Sequence, residues 1–431
     1  MDKSFLSTGE RSSCFGCEAC AQVCPHSAIR MKEDEEGFRY PAVDREKCVS
    51  CGLCLKVCPY ENQPKKHDGQ KYVFGGYIAD LDIRMQSTSG GAFSAIADAW
   101  CDDNYVIFGA ASDGLKVFHT YVTDKSQISI FRKSKYSQSV IGDSYKQARQ
   151  FLKDGKKVLF SGTPCQIAGL RSYLLKTDTA NLLTVEVICE GVPSPLYIRK
   201  LNDWIKRKFG SPIAWLDYRY KDHCRWDFQV MNILTKKDLS KHGNWDFETM
   251  AIKLLRDIKE LGKRGGVSMK KDRWFNPFWS VWMNHLMSRP SCYKCPFATT
   301  GREADITLGD LWGVHIYCPE LYGNNTGCSL VVCNTEKGCK AMMAAEKNMK
   351  GHELDFNEAL KYQSPLRRTI PFNDDRKQFM EDLQDPGMDY RAINKKWARK
   401  PTLKLLFQKY IWGNRQKVFL WNLLHKSGGT K

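Results

Sequence analysis

"CFGCEACAQVCP" (Cys14–Pro25) sets four cysteines into eleven positions, and "CVSCGLCLKVCP" (Cys48–Pro59) does the same again. Each stretch reads C-x2-C-x2-C-x3-C-P. Three thiols so close together share one tight loop, and the fourth is carried onward and set by a proline. Eight such cysteines leave three chemistries open: a disulfide framework, zinc knuckles or cluster ligands. The choice among them decides the N-terminal fold.

Disulfides fit poorly. The start, "MDKSFLSTGERSS", lacks the apolar run of a secretory signal. No run of about 18 apolar residues is present, so no membrane span is expected. These features predict a cytoplasmic protein, in which thiols stay reduced and 18 cysteines read as metal or redox ligands. Zinc motifs supply cysteines as separated pairs, not runs of four with a trailing Cys-Pro. The spacing is that of bacterial two-cluster ferredoxins, in which the fourth cysteine of each run reaches the other cluster. Cys14, Cys17, Cys20 and Cys58 are thus expected to hold one [4Fe–4S] cluster. Cys48, Cys51, Cys54 and Cys24 are expected to hold the second. The intervening "AIRMKEDEEGFRYPAVDREK" predicts a short hairpin. Such clusters move single electrons, so the module is a wire that needs something at its far end.

A chain of 431 residues with 42% apolar content supports two or three folded domains. Its net charge of +18 is unevenly placed. Arg391 to Lys431 holds eleven Lys or Arg and no Asp or Glu, leaving 55 basic against 48 acidic residues elsewhere. The pattern predicts a ferredoxin domain at 1–66, a linker at 67–71, an α/β domain at 72–365 and a basic aromatic tail, helical in spacing, at 366–431.

Within 72–365, strand and helix signals alternate. "YVFGGYIA", "YVIFGAAS", "KVFHTYVT", "KKVLFSG" and "LLTVEVIC" read as strands. "GGAFSAIADAW", Ser144–Asp154, "TPCQIAGLRSYLL" and "SPLYIRKLNDWIKRKF" read as helices. Residues 215–271 look less regular, and "CSLVVCNTEKGCKAMMAAEK" supplies a last strand–helix pair. In such folds chemistry sits at strand ends and helix N-termini.

Cys165 and Cys189 each follow a strand and precede a helix, while "SCYKCPF" supplies Cys292 and Cys295. Neighbouring parallel strands would end side by side, so the four thiols have enough ligands for another cubane. The alternative is two structural buried cysteines and an unrelated pair. "STSGGAF" places Ser87 to Gly91 before an apolar helix, a phosphate-receiving arrangement or an ordinary capped helix with a glycine turn. It matches neither a Walker loop nor the dinucleotide fingerprint.

Seven segments in this order, "STSGGAFSAIA", "SKYSQSVIG", "FSGTPCQIAGL", "CEGVPSP", "RPSCYKCPF", "ADITLGDLWG" and "GCSLVVCNTEKG", resemble the coenzyme F-420 hydrogenase/dehydrogenase beta subunits over roughly residues 72–338. The resemblance implies a non-covalent FAD and a [4Fe–4S] cluster on Cys165, Cys189, Cys292 and Cys295. It implies FAD contacts from Thr88, Ser89, Gly90 and Gly91, with Lys135, Tyr136 and Ser139 nearby. It also puts Asp310 and Trp312 close to the cluster or flavin, although a core role for Trp312 and a structural role for Asp305 fit as well. Cys101, Cys224, Cys318, Cys328, Cys333 and Cys339 read as buried or incidental thiols. His223, His285 and His315 lack motif context.

The tail admits three readings: packing on the body, contact with an anionic membrane surface at the inner face, or docking on an acidic partner; nucleic-acid binding is a remainder that no accompanying module supports. The expected function is an iron–sulfur flavoprotein oxidoreductase. It would join ferredoxin-type clusters and FAD to a redox partner, such as ferredoxin, and to a small-molecule substrate. That substrate could be a deazaflavin or a polysaccharide-pathway intermediate. An electron-transfer subunit without a substrate of its own is the alternative, and a cluster-bearing nucleic-acid protein a remote one.

Overall fold

The structure, a computed structural model, describes residues 3–69, 72–221, 226, 230–240, 267–269, 277–322, 326–399 and 402–425. Cys224 and His223 lie outside the described residues. The expected N-terminal hairpin is formed by β1 (Ile29–Glu33) and β2 (Arg39–Val43), paired antiparallel. The two cysteine runs flank it, with short helices at Ala19–Val23 and Leu53–Lys56.

The body is built on an eight-stranded mixed sheet. It uses β3 (Tyr72–Ile78), β4 (Tyr105–Asp113), β5 (Lys116–Val122), β6 (Lys157–Gly162), β7 (Leu182–Val187), β11 (Ile306–Asp310), β12 (Ser329–Cys333) and β13 (Met349–Glu353). Their order is β13-β3-β12-β11-β7-β6-β4-β5. Only β4-β6, β6-β7 and β7-β11 pair in parallel, and the outer pairs are antiparallel. Val158, Leu159 and Phe160 are all fully buried, as a strand covered on both faces requires. The helix Pro164–Tyr173 follows β6 at once. Pro164 occupies its first turn, and the Thr163 N–H donates to the Gln166 carboxamide at 3.0 Å, a cap worth about 1 kcal/mol.

A second, antiparallel sheet is made of β8 (Ile213–Tyr220), β9 (Val230–Thr235) and β10 (Val267–Met269). The less regular reading of 215–271 is corrected to that extent. The strand signal was hidden because Asp217 and Arg219 are buried within β8, each paired there with an opposite charge.

Two of the expected boundary segments are joined to the body. The segment expected as a linker at 67–71 is tied down where it begins, because His67 exchanges both backbone hydrogen bonds with Arg302. Within the segment expected as the tail, Phe379, Met380, Leu383, Tyr390 and Ile393 are buried in one apolar cluster with Tyr197, Leu201 and Trp279. Residues 376–397 therefore pack on the body. Cys17, Ala19 and Val57 of the N-terminal module likewise share a cluster with Phe160, Ile167 and Leu170. The cysteine module and the sheet domain thus have a common core.

Candidate functional site

Cys14, Cys17, Cys20 and Cys58 line one small cavity of about 30 Å³ between the two cysteine runs. This is the crossed set that the spacing predicts, three thiols of one run with the last of the other. Burial pushes the Cys17 thiol up, as do the neighbouring thiols of Cys58, Cys20 and Cys14. The second set faces outward: Cys51 is exposed and Cys48, Cys54 and Cys24 are half-buried. Among the described residues, no three His, Cys, Asp or Glu side chains converge as a single ion would need.

Cys165, Cys189, Cys292 and Cys295 are also brought together. β6 and β7 are parallel neighbours with Gly162 beside Glu186, so Cys165 and Cys189 leave the sheet at the same edge. A Cβ on Gly191 would stand 3.4 Å from Cys292 Cβ. Cys165 and Cys295 both pack against the cluster of Phe15, Ala168 and Phe297. Burial, then the neighbouring Cys295 thiol, push Cys292 up to about 12, and burial pushes Cys165 up to about 11. An iron cluster would reverse that balance, because a bound cation favours the thiolate.

Phe15 belongs to the first cysteine run, so that run abuts the quartet. Two side chains, the buried Arg289 and the half-buried Gln138, join them. Arg289 donates to the Cys14 carbonyl at 2.9 Å, the Arg39 carbonyl at 3.0 Å and the Gln138 carboxamide oxygen at 2.9 Å. Gln138 in turn donates to the Phe15 and Gly16 carbonyls, each at 3.0 Å. Spacing arguments pass over both residues, although they lie in the quoted segments "SKYSQSVIG" and "RPSCYKCPF".

Beside the quartet opens a cavity of about 410 Å³, with Cys165 and Cys189 in its wall. Thr88, Ser89, Gly91, Lys135, Tyr136 and Ser139 all line it. Gly90 does not: a Cβ there would meet Gly76 O at 2.5 Å and Ser329 N at 2.6 Å, so this glycine serves strand packing. The side chains that line the cavity are mostly engaged with protein. Thr88 Oγ1 accepts from Ser134 N at 2.6 Å, and Ser89 Oγ donates to Cys328 O at 2.6 Å. Lys135 Nζ donates to Ile130 O and Arg132 O, and burial lowers it to about 7. Tyr136 is packed on Trp279 and Trp282. What remains open to a ligand is the start of the helix Ala92–Trp100, whose first N–H groups have no intrahelical acceptor.

The cavity also gathers residues that the sequence reading missed. Arg132, Lys133 and Arg219 bring positive charge, and Phe131, Val117 and Leu308 an apolar wall. Lys133 pairs with buried Asp217 at 3.0 Å. Arg219 pairs with Asp310, while its Nε and Nη2 keep no well-formed hydrogen bond. Tyr136 lies close enough to Arg219 for each to shift the other's titration. Asp310 also accepts from Trp226, which stacks on Trp312 at 5.2 Å. His119 Nδ1 contacts Ser139 Oγ at 2.8 Å and Nε2 contacts Ser161 O at 2.9 Å. Burial lowers His119 to about 4, so it is neutral. Asp305 takes the structural role, accepting from Thr184 and Thr335 away from the cavity. Cys101, Cys318, Cys328, Cys333 and Cys339 are buried thiols, as expected.

This layout, a two-run cysteine module seated on a sheet domain, defines an iron–sulfur electron-transfer protein. Residues 13–62 match the model of the 4Fe-4S dicluster domain. Residues 155–358 match the model described as the C terminus of the coenzyme F420 hydrogenase/dehydrogenase beta subunit. The chain is thus related to one component of an oxidoreductase. No curated protein matches it. Among solved structures, a chain of the F420-reducing [NiFe] hydrogenase complex from Methanosarcina barkeri, studied by xenon derivatization, aligns with 75% of this chain and 96% of its own. That alignment has 14% identity and a TM-score of 0.40.

Proposed function

We propose that the chain is an iron–sulfur flavoprotein oxidoreductase. Cys165, Cys189, Cys292 and Cys295 would hold a third [4Fe–4S] cluster, and the adjoining cavity would hold FAD. The observation that carries this reading is the shared wall: Cys165 and Cys189 border the 410 Å³ cavity while Cys165 packs toward Phe15 of the dicluster module. FAD, when bound, exchanges single electrons for a hydride, which is the conversion a one-electron wire needs.

The residues present suit that group. Arg132 and Lys133, with the N–H groups that open the helix Ala92–Trp100, would meet its phosphates. The apolar wall would take its ring and exclude water. His119 stays uncharged and, through Ser139 and Gln166, fixes the floor of the cavity. Arg219 and Asp310, under the Trp226–Trp312 stack, close the far corner and present guanidinium donors to a small-molecule substrate. The kinship with a hydrogenase/dehydrogenase beta subunit supports a protein redox partner reached through the outward thiols at Cys48, Cys51 and Cys54. A deazaflavin and a polysaccharide-pathway intermediate both remain within the proposed substrate class.

Anaerobic purification tests the reading. The full chain should carry about twelve irons, three cubanes' worth, and one FAD. A product with its irons but no flavin would overturn the flavoenzyme and leave an electron-transfer subunit. Oxidation of reduced ferredoxin by the isolated chain, with a reduced deazaflavin as product, would identify the substrate.

A further inference from the structure

Beyond the body lie two described helices, Leu403–Tyr410 and Asn414–His425, joined by residues 411–413. They expose an unusual amount of apolar side chain: Leu403 is 85% exposed, and Phe407, Ile411, Trp412, Phe419 and Leu423 are all open. The second helix is nevertheless fixed to the body. Val418 is 4% exposed and packed among Leu321, Tyr322 and Val314. The apolar face is therefore not the packing face. Leu403 and Phe407 stand four residues apart, as do Phe419 and Leu423, so each helix shows its own apolar stripe.

Charge indicates what covers it. The segment from Arg391 to Lys431 carries eleven basic residues and no acidic one, and eight of the eleven are lysine. Protein interfaces are depleted in lysine and mix both signs, whereas an anionic lipid surface is uniformly negative and attracts lysine without fixed geometry. Among the described residues no helix is long and apolar enough to cross a membrane. Exposed apolar side chains together with a one-sign basic field are the two signals that stable surface anchoring requires. We propose that the pair of helices docks on an anionic lipid bilayer, lying in the interface with the sheet domain held against it through Val418. The proposal is independent of cofactor content.

Co-sedimentation of the full-length protein with vesicles tests this directly. Phosphatidylglycerol/phosphatidylcholine vesicles should pellet roughly tenfold more protein than pure phosphatidylcholine, and raising salt from about 0.1 M to about 1 M should release it. Two full-length variants separate the signals. Phe407→Ser/Phe419→Ser/Leu423→Ser keeps every charge and should lose the anionic vesicles. Lys404→Gln/Lys417→Gln should weaken binding without abolishing it. Unchanged iron content and near-ultraviolet spectra would show that both variants are folded. Equal binding to neutral vesicles, or none to either kind, would overturn the proposal. So would full binding by the triple serine variant, because the tail would then be a general polyanion binder of the kind that retains nucleic acid.

Discussion

The Arg289 guanidinium donates from Nε to the carbonyl of Cys14 at 2.9 Å, so a residue three positions before one cysteine pair holds the loop of another. Arg289 is 1% exposed, and its face lies over Tyr40 at 4.3 Å. Removing it leaves three part-buried acceptors without their donor at once. Arg289→Ala should lose roughly 3–5 kcal/mol and free the N-terminal module for proteolysis. Arg289→Lys keeps the charge but loses the fork, and should fall between the two. Anaerobic denaturant unfolding with limited proteolysis measures both effects. An Arg289→Ala protein as stable and resistant as the parent would show that the junction does not depend on this side chain.

Gly169 gives the module a second contact. A Cβ there would stand 3.0 Å from Cys17 Cβ and 3.1 Å from its Sγ. Gly169→Ala should displace Cys17 and lower iron from about twelve to about eight per chain, with the signals of the outer cluster retained. Iron analysis beside the spectrum of the reduced protein reads this out.

The crossed ligand sets make a sharper test. Cys58→Ser should damage the cluster of the first run, although Cys58 belongs to the second. Cys24→Ser should do the reverse. Cluster-resolved electron paramagnetic resonance of each reduced variant distinguishes them. Damage confined to the mutated run itself would sink the crossed assignment.

His119 predicts a pH dependence. Burial is the main cause of its lowered value of about 4 in the folded chain, against an ordinary 6.5. Between those limits the unfolded chain binds more protons. Stability should be level above pH 6.5 and fall as pH drops toward 4, by roughly 3 kcal/mol for this group. His119→Gln should flatten that part of the profile in unfolding titrations. An unaltered slope in the variant would assign the acid sensitivity elsewhere.

How much of this was legible in the sequence varied with the physics of each segment. Strands β3, β4, β6 and β7 are nearly continuous apolar runs, so their burial could be read directly. β11 does not read as a strand, because its buried Thr307 looks polar until Glu186 is seen accepting its hydroxyl proton. β8 hides for a related reason: Asp217 and Arg219 resemble loop charges until Lys133 and Asp310 come to meet them from distant positions. The two N-terminal cysteine runs were legible because their spacing is local. The cavity's basic wall was not, since Arg132, Lys133 and Arg219 converge only through the sheet. In the C-terminal region, Tyr390 and Ile393 are hard to recognise as core because the charges around them dominate the composition.

The shared core of Cys17, Ala19 and Val57 with the Pro164 helix imposes an order of manufacture. On the proposed ligand assignment, iron and sulfide must reach the inward loop before the module seats, because Gly169 and Tyr145 then wall Cys17 in. On the same assignment, the loop around the exposed Cys51 would have no such deadline and could be filled, or repaired after oxidative loss, on the finished protein. One half of the wire would thus be built in, and the other serviceable.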